Sequence, residues 1–479
     1  MNCMAIERDA AGAQYFADLA WVDGAWASDV LLSVGQDGRW CGVQPNAPLD
    51  VRQHAVKLSG PVLPGLVNAH SHAFQRAIAG LTECRSASGS LNAERQGDDD
   101  FWSWRDRMYS AANRITPAQL EAIATLLYAE LLMGGYTHVC EFHYLHNAPD
   151  GKPYADPLEM SLALVRAART VGMGLTLLPT LYMRSGFGAA GLRTDQLRFA
   201  SSPDSVLRVV EGVQVYTPGL LLNAGIAVHS LRAVDAVALK EVTHAADQQN
   251  LSIHIHIAEQ TQEVSDCVAH TGQRPIEWLL KHAAVNARWN LVHATHTTAA
   301  ELKGIKDRDA AIVICPSTEA NLGDGVFDAV GWTAANGHWG IGSDSHASVD
   351  AAEELRLLEY SQRLTRQQRN LLASPRHPQV ADQLWLAGAS GGARASGRPV
   401  GALEVGAQAD FVVLDVSQTL TGLSPSHVLA NHVFASHGRN TVRDVWVDGQ
   451  QRIIQGRHAL EGRSCERFVA ARSQLLREV

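Results

Sequence analysis

Between residues 62 and 392 the chain alternates two kinds of segment. Short apolar runs of strand length recur: PVLPGLVNAH, THVCEF, GLTLLPTLY, LLNAGIAVHS, LSIHIHIAE, WNLVHATH, AAIVICPSTE and HWGIGSDS. Between most of them lie longer stretches with helical patterning, such as PAQLEAIATLLYAELLMGG and AVDAVALKEVTHAADQQN. Eight such strand–helix units predict an α/β fold, a parallel (β/α)8 TIM-type barrel with its helices outside. A doubly wound open sheet is the alternative that this rhythm allows.

The two ends of the chain have a different pattern. AQYFADLAWVDGAWAS and VLLSVGQDGRWCGVQ are β-rich pieces punctuated by Gly and Asp, followed by the turn NAPLD. Near the other end, ADFVVLD reads as a strand, and VRDVWVDGQQRIIQGRH alternates around a DG hairpin turn. Residues 1–61 and 393–479 are therefore expected to build one small β-sandwich domain from both termini, with the barrel spanning 62–392. The polar segment from Cys84 to Asp100, CRSASGSLNAERQGDDD, reads as a mobile loop.

Composition narrows the class. With 479 residues, 46% hydrophobic and 19% charged, the chain has ample core and is not intrinsically disordered. Forty basic against 49 acidic residues give a net charge of −9, which argues against nucleic-acid or polybasic membrane binding. The seven cysteines are odd in number and none sits in a CxxC pair, so a disulfide framework is not expected and a reducing compartment is. Cys140 and Cys315 fall within strands and read as small buried hydrophobes. MNCMAIERDAAG carries no apolar signal core, and no run reaches the ~20 apolar residues of a membrane span, so a cytoplasmic location is expected.

Polar residues gather at the carboxyl ends of the predicted strands. Strand one ends in His70 and His72. Strand two runs into Glu141, His143 and Tyr144. Strand four ends in His229, strand five in His256 and Glu259, strand six in His293 and strand eight in Asp344. In a parallel barrel all these ends meet at the face where barrel enzymes keep their active sites. His70-x-His72 places both rings on one side of a strand, where they can share a divalent metal. A lone HxH is more often a pair of satisfied histidines, so position at a strand end is what raises it. His254 and His256 share a face too, and parity cannot choose between them. His256, nearer the carboxyl end, is preferred, with His254 one layer deeper as a hydrogen-bonded core residue. Asp344 adds a hard oxygen ligand. Three imidazoles and a carboxylate suit zinc, and also iron or manganese. No Lys stands near the end of strand four, which favours a mononuclear site.

PGLVNAHSHAF, HIHIAE, LVHATH, GSDS and GALEVGAQADFVVLD together resemble the amidohydrolase superfamily over nearly the whole chain. His256-x-x-Glu259 resembles its deaminase branch, where a strand-five ligand precedes a proton-shuttling glutamate. A narrower set resembles the formimidoylglutamate deiminase family of histidine degradation: HSHAFQRAIAGLTE, FWSWRDRMY, EFHYLHN, GIAVHSLRAV, RPIEWLL, HATHTT, CPSTEANLGDG and WGIGSDSH. The polar loop at 84–100 departs from that pattern and puts loop closure in doubt.

The resemblance implies hydrolysis of N-formimidoyl-L-glutamate to N-formyl-L-glutamate and ammonia, with one divalent ion per subunit, zinc first and iron second. It implies metal ligands His70, His72, His256 and Asp344, and catalytic groups Glu259, His293 and Asp344. For the two substrate carboxylates it implies Arg105 and Arg232, whose planar forks match carboxylates. Gln75, Tyr144 and His229 would add hydrogen bonds. An ion pair of Arg105 with Asp106 is the plain alternative for that residue. Trp102 and Trp104 could wall the pocket but read first as packing residues, His143 and His146 read as structural, and His296 and His346 as non-ligands. The expected partner is a small dicarboxylate, with no nucleic acid and no membrane, and the subunit is expected to be a homodimer. A purine or pterin ring deaminase and a non-catalytic barrel scaffold are the competing functions.

Overall fold

The computed structural model describes residues 12–83, 101–216, 221–436 and 439–477. The expected loop at 84–100 lies outside the described residues.

Eight parallel strands form the barrel wall in chain order: Leu66–Ser71, Tyr136–His143, Gly174–Leu181, Ile226–Val228, Ile253–Ile257, Trp289–His293, Ala311–Ile314 and His338–Ile341. A parallel bridge from Ser71 to Asp344 brings the last strand back to the first. The strands are buried on both faces, as a parallel sheet wrapped by helices requires. Helix Pro117–Met133 illustrates why the wrapping holds. Thr116 and Gln119 form a reciprocal cap, Pro117 opens the first turn, and almost every following residue is apolar and buried. It packs between helix Glu159–Val171 and the final helix Glu461–Arg477. Helix Val380–Ser396 lies against strands one and eight, and Gly391 permits this: a Cβ there would stand 1.6 Å from the Trp339 carbonyl oxygen.

Two predicted strands are divided. PVLPGLVNAH breaks at Gly65, where a Cβ would meet the Thr137 side chain at 2.2 Å. Its first half, Val62–Pro64, joins the second sheet, between Ala13–Val22 and Phe411–Leu414. LLNAGIAVHS breaks at Gly225 into Leu222–Ala224 and Ile226–Val228. Apolar content cannot reveal either break, because both halves are equally buried.

The second sheet has nine strands drawn from both ends of the chain. Two of its DG hairpins turn through Asp23–Gly24 and Asp448–Gly449, all four residues at positive φ, the conformation that tight hairpins need. The sheet folds over itself. Trp40, at its far edge, packs on Phe411 at 5.4 Å between ring centroids, and Phe411 stacks on Trp446 at 4.6 Å. We propose the division 1–61, 62–392 and 393–479, noting that Val62–Pro64 pairs within the small sheet and that helix Val380–Ser396 crosses the second boundary. Among the described residues no helix is long and apolar enough to cross a membrane.

Candidate active site

Four side chains from three strand ends converge inside the barrel mouth. One ligand atom each from His70, His72, His256 and Asp344 lies within 4.8 Å of all the others, and all four residues are buried. Nε2 of His70 stands 3.1 Å from Nε2 of His72 and 3.0 Å from Nε2 of His256. The Asp344 carboxylate lies 3.3 Å from both His70 and His72. The backbone settles the tautomers of two rings. His72 Nδ1–H donates to the Phe142 carbonyl at 2.9 Å, and His256 Nδ1–H donates to the His229 carbonyl at 2.9 Å. Their Nε2 atoms therefore carry lone pairs, both aimed at Nε2 of His70. Burial lowers the pKa of His70 to about 3 and depresses His72 and His256 as well, which favours neutral rings. Neutral imidazoles and an ionised carboxylate are the donor set of a divalent metal site.

A second set of buried groups borders these ligands. Glu259, just past strand five, has its carboxyl pushed by burial up to about 7. His293 ends strand six, with Nε2 at 3.9 Å from Glu259 and 3.8 Å from Asp344. Its Nδ1 meets Glu319 at 3.2 Å. Burial opposes charge on the His293 ring, but Glu259, Glu319 and Asp344 outweigh it and raise the pKa to about 10. The backbone at these strand ends is unusual. Ala258, His293 and Asp344 all have positive φ, at 52, 67 and 47°. Left-handed non-glycine residues are sterically costly, and their clustering at one barrel face marks a functional region.

The model of the amidohydrolase family matches residues 62–452. The chain belongs to the amidohydrolase family. It is 44% identical over 461 residues to formimidoylglutamate deiminase of Pseudomonas aeruginosa, covering 96% of this chain and 99% of that one. The crystal structure of an amidohydrolase from Brucella melitensis superposes with a TM-score of 0.88 at 42% identity, over 97% and 100% of the two chains. An adenosine deaminase from Xanthomonas campestris with bound zinc superposes with a TM-score of 0.80 at 25% identity, over 98% and 100%.

Around these four candidate ligands the expected substrate-side residues assemble as well. The His229 ring packs 5.2 Å from His256, 5.6 Å from Tyr144 and 4.3 Å from Tyr182. Gln75 Nε2 donates to the Tyr144 hydroxyl at 3.3 Å, and its Oε1 is buried with no partner. Arg232 follows strand four, and its Nη1 is buried without an acceptor. Arg105 lies on helix Phe101–Ala112, with Nε in the same state. Asp106 pairs with Arg193 at 3.8 Å, not with Arg105. Trp102, read from sequence as a packing residue, instead lies against both arginines, while Trp104 does pack on the core.

The remaining polar residues sort clearly. His254 is fully buried, with Nε2 donating to the Ala395 carbonyl at 2.9 Å. His146 bonds the Thr180 carbonyl at 2.8 Å, His296 the Asp324 carbonyl at 2.9 Å and His346 the Ser343 hydroxyl at 2.9 Å. His143 is buried beside His146. Cys140 and Cys315 are buried free thiols.

Sequence reasoning gave no role to three buried carboxylates that brace the site. Glu141 accepts from the Ser71 hydroxyl and the Ala73 N–H, each at 2.7 Å, on either side of His72. Glu263 accepts from the Ala258 and Glu259 N–H groups at 3.3 and 3.1 Å. Glu319 holds His293 and also accepts from the Cys315 N–H at 2.9 Å. Glu141 was marked by its place at the end of strand two, and Glu263 by the spacing Glu259-x-x-x-Glu263, since the second acid falls in the first turn of helix Thr261–Thr271.

Proposed function

We propose that the chain hydrolyses N-formimidoyl-L-glutamate to N-formyl-L-glutamate and ammonia. The observation that carries this reading is a pair of guanidiniums, Arg105 and Arg232, each with a buried unpartnered nitrogen, beside a cluster of three histidines and an aspartate. Two fixed forks suit a substrate with two carboxylates. The 44% identity to a formimidoylglutamate deiminase supports the same substrate.

His70, His72, His256 and Asp344 would hold one divalent ion, zinc first and ferrous iron second. The zinc of the adenosine deaminase relative supports that order. When bound, such an ion supplies Lewis acidity that makes water a competent nucleophile near neutral pH.

The protein groups divide the rest. Asp344 accepts the proton of the water that attacks the formimidoyl carbon. Glu259, poised near 7, gives its proton to the imino nitrogen, recovers one from the hydroxyl of the tetrahedral intermediate and gives that to the amine as it leaves as ammonia; the proton held by Asp344 then restores Glu259. His293, with Nδ1 on Glu319, turns Nε2 to the reacting atoms, where it exchanges a proton and hydrogen-bonds the tetrahedral intermediate. Arg105 and Arg232 take the two carboxylates, with Gln75, Tyr144 and His229 completing the polar wall. Five described cysteines are unpaired, which suits the cytoplasm, and a homodimer belongs to the same proposal.

A second reading, deamination of a purine or pterin ring, is favoured by the adenosine deaminase likeness. Ammonia release by metal-loaded protein from N-formimidoyl-L-glutamate, N-formimidoyl-aspartate and guanine separates the two. Turnover of the first is expected. Turnover of guanine alone reverses the assignment.

A further inference from the structure

Arg105 and Arg232 share one aromatic ring. The guanidinium carbon of Arg105 lies 4.4 Å from the Trp102 ring centroid, and that of Arg232 lies 5.5 Å from the same ring. Neighbouring rings extend the arrangement: Tyr109 stands 5.4 Å from Arg105, and Phe101 stands 6.0 Å from Arg232. Among the described residues no carboxylate is in ion-pair contact with either guanidinium: Glu263 and Glu259 favour the Arg232 cation only from beyond contact distance, and the acid next to Arg105 is drawn to Arg193.

Two like charges in a water-poor pocket repel, more strongly as the local dielectric falls. A carboxylate counter-ion would relieve the repulsion, but it would also fill the donor fork that an incoming carboxylate needs. An aromatic face attracts a cation through its quadrupole and leaves the in-plane N–H donors free. The buried, unpartnered Nε of Arg105 and Nη1 of Arg232 are such free donors.

We propose that Trp102 is a specificity-determining residue: its indole stands in for a counter-ion and sets the spacing and direction of Arg105 and Arg232, so that two carboxylates meet two preset forks. The inference rests on the deiminase reading above. It differs from packing in what can replace the residue. A packing tryptophan yields to any apolar side chain of similar reach; this one yields only to another aromatic ring.

The test measures binding and turnover separately on metal-loaded protein. Isothermal titration calorimetry compares N-formyl-L-glutamate, with two carboxylates, and N-formylglycine, with one. Trp102→Leu should weaken N-formyl-L-glutamate about tenfold and N-formylglycine less than about threefold, whereas Trp102→Phe should keep most of the preference. For N-formimidoyl-L-glutamate, KM should rise by a similar factor while kcat holds within about threefold. Trp102→Met is the substitute if Trp102→Leu does not fold. An unchanged dicarboxylate preference in the Leu or Met variant overturns the inference, and so does a loss in Trp102→Phe equal to that in Trp102→Leu. Wild-type protein that neither prefers the dicarboxylate nor releases ammonia from N-formimidoyl-L-glutamate overturns the functional reading itself.

Discussion

His254 and His256 stand two residues apart on one strand, on the same face, and both are buried. Burial depresses both pKa values, with His254 lowered to about 4, so their acid–base behaviour does not distinguish them. Their partners do. At the barrel floor, His254 spends its Nε2–H on the Ala395 carbonyl, and His138 meets the Thr176 hydroxyl at 2.8 Å. At the mouth, the His72 and His256 rings are turned the other way, with Nδ1–H on a carbonyl and Nε2 facing Nε2 of His70. A floor histidine completes a local bond. The Nε2 atoms of the mouth histidines instead converge on one another and on Asp344.

The sharpest way to break this contrast is to remove one histidine from each layer. His256→Ala should abolish metal binding and reduce ammonia release to background, read by elemental analysis and a coupled ammonia assay. Chelation should lower the Tm of the wild type and leave that of the variant unmoved. Normal metal content in the variant would remove His256 from the ligand set.

Glu259→Gln leaves every upper-layer ligand in place. It should retain full metal content and lose about 10²–10⁴ in kcat. Near wild-type turnover would take the proton-shuttle role from Glu259.

Arg232→Ala probes the wall and not the cluster. Its kcat/KM for N-formimidoyl-L-glutamate should fall by the equivalent of ~2–5 kcal/mol, with metal stoichiometry unchanged. An unaltered kcat/KM would place the substrate carboxylates elsewhere.

Glu319→Gln loosens His293 without touching a ligand, and kcat should drop about 10–100-fold. The smallest effect on catalysis belongs to the floor. His254→Leu should keep the metal and most turnover while lowering unfolding stability by ~1–3 kcal/mol, because the buried Ala395 carbonyl loses its donor. Loss of metal in this variant would erase the distinction between the two layers.

Strand periodicity made much of this legible. Eight apolar segments, six of them running into chemically capable polar residues at their carboxyl ends, specify both the barrel and the face where chemistry gathers, and HxH parity joins His70 to His72. Parity could not separate His254 from His256, since that choice depends on Ala395, 141 residues away in the chain. The divided strands escaped for a different reason. Gly65 is required by the nearness of Thr137 on the next barrel strand, a contact that no local pattern records. Glu263 and Glu319 sit in first turns of helices, where acids are ordinary, and only their hydrogen bonds back to strand ends distinguish them. For Trp102 the sequence left packing and pocket wall both open, because an amphipathic segment accounts for an aromatic equally well whether it covers the core or two cations.

Main-chain oxygens, those of Phe142 and His229, steady two of the ligand rings. A carbonyl survives any substitution at its own position. The side chain of residue 229 is thus free to be rewritten for a new substrate while its backbone continues to orient His256. The carbonyl that orients His256 and the ring that packs beside Tyr144 and Tyr182 thus belong to one residue, yet each can be altered without the other.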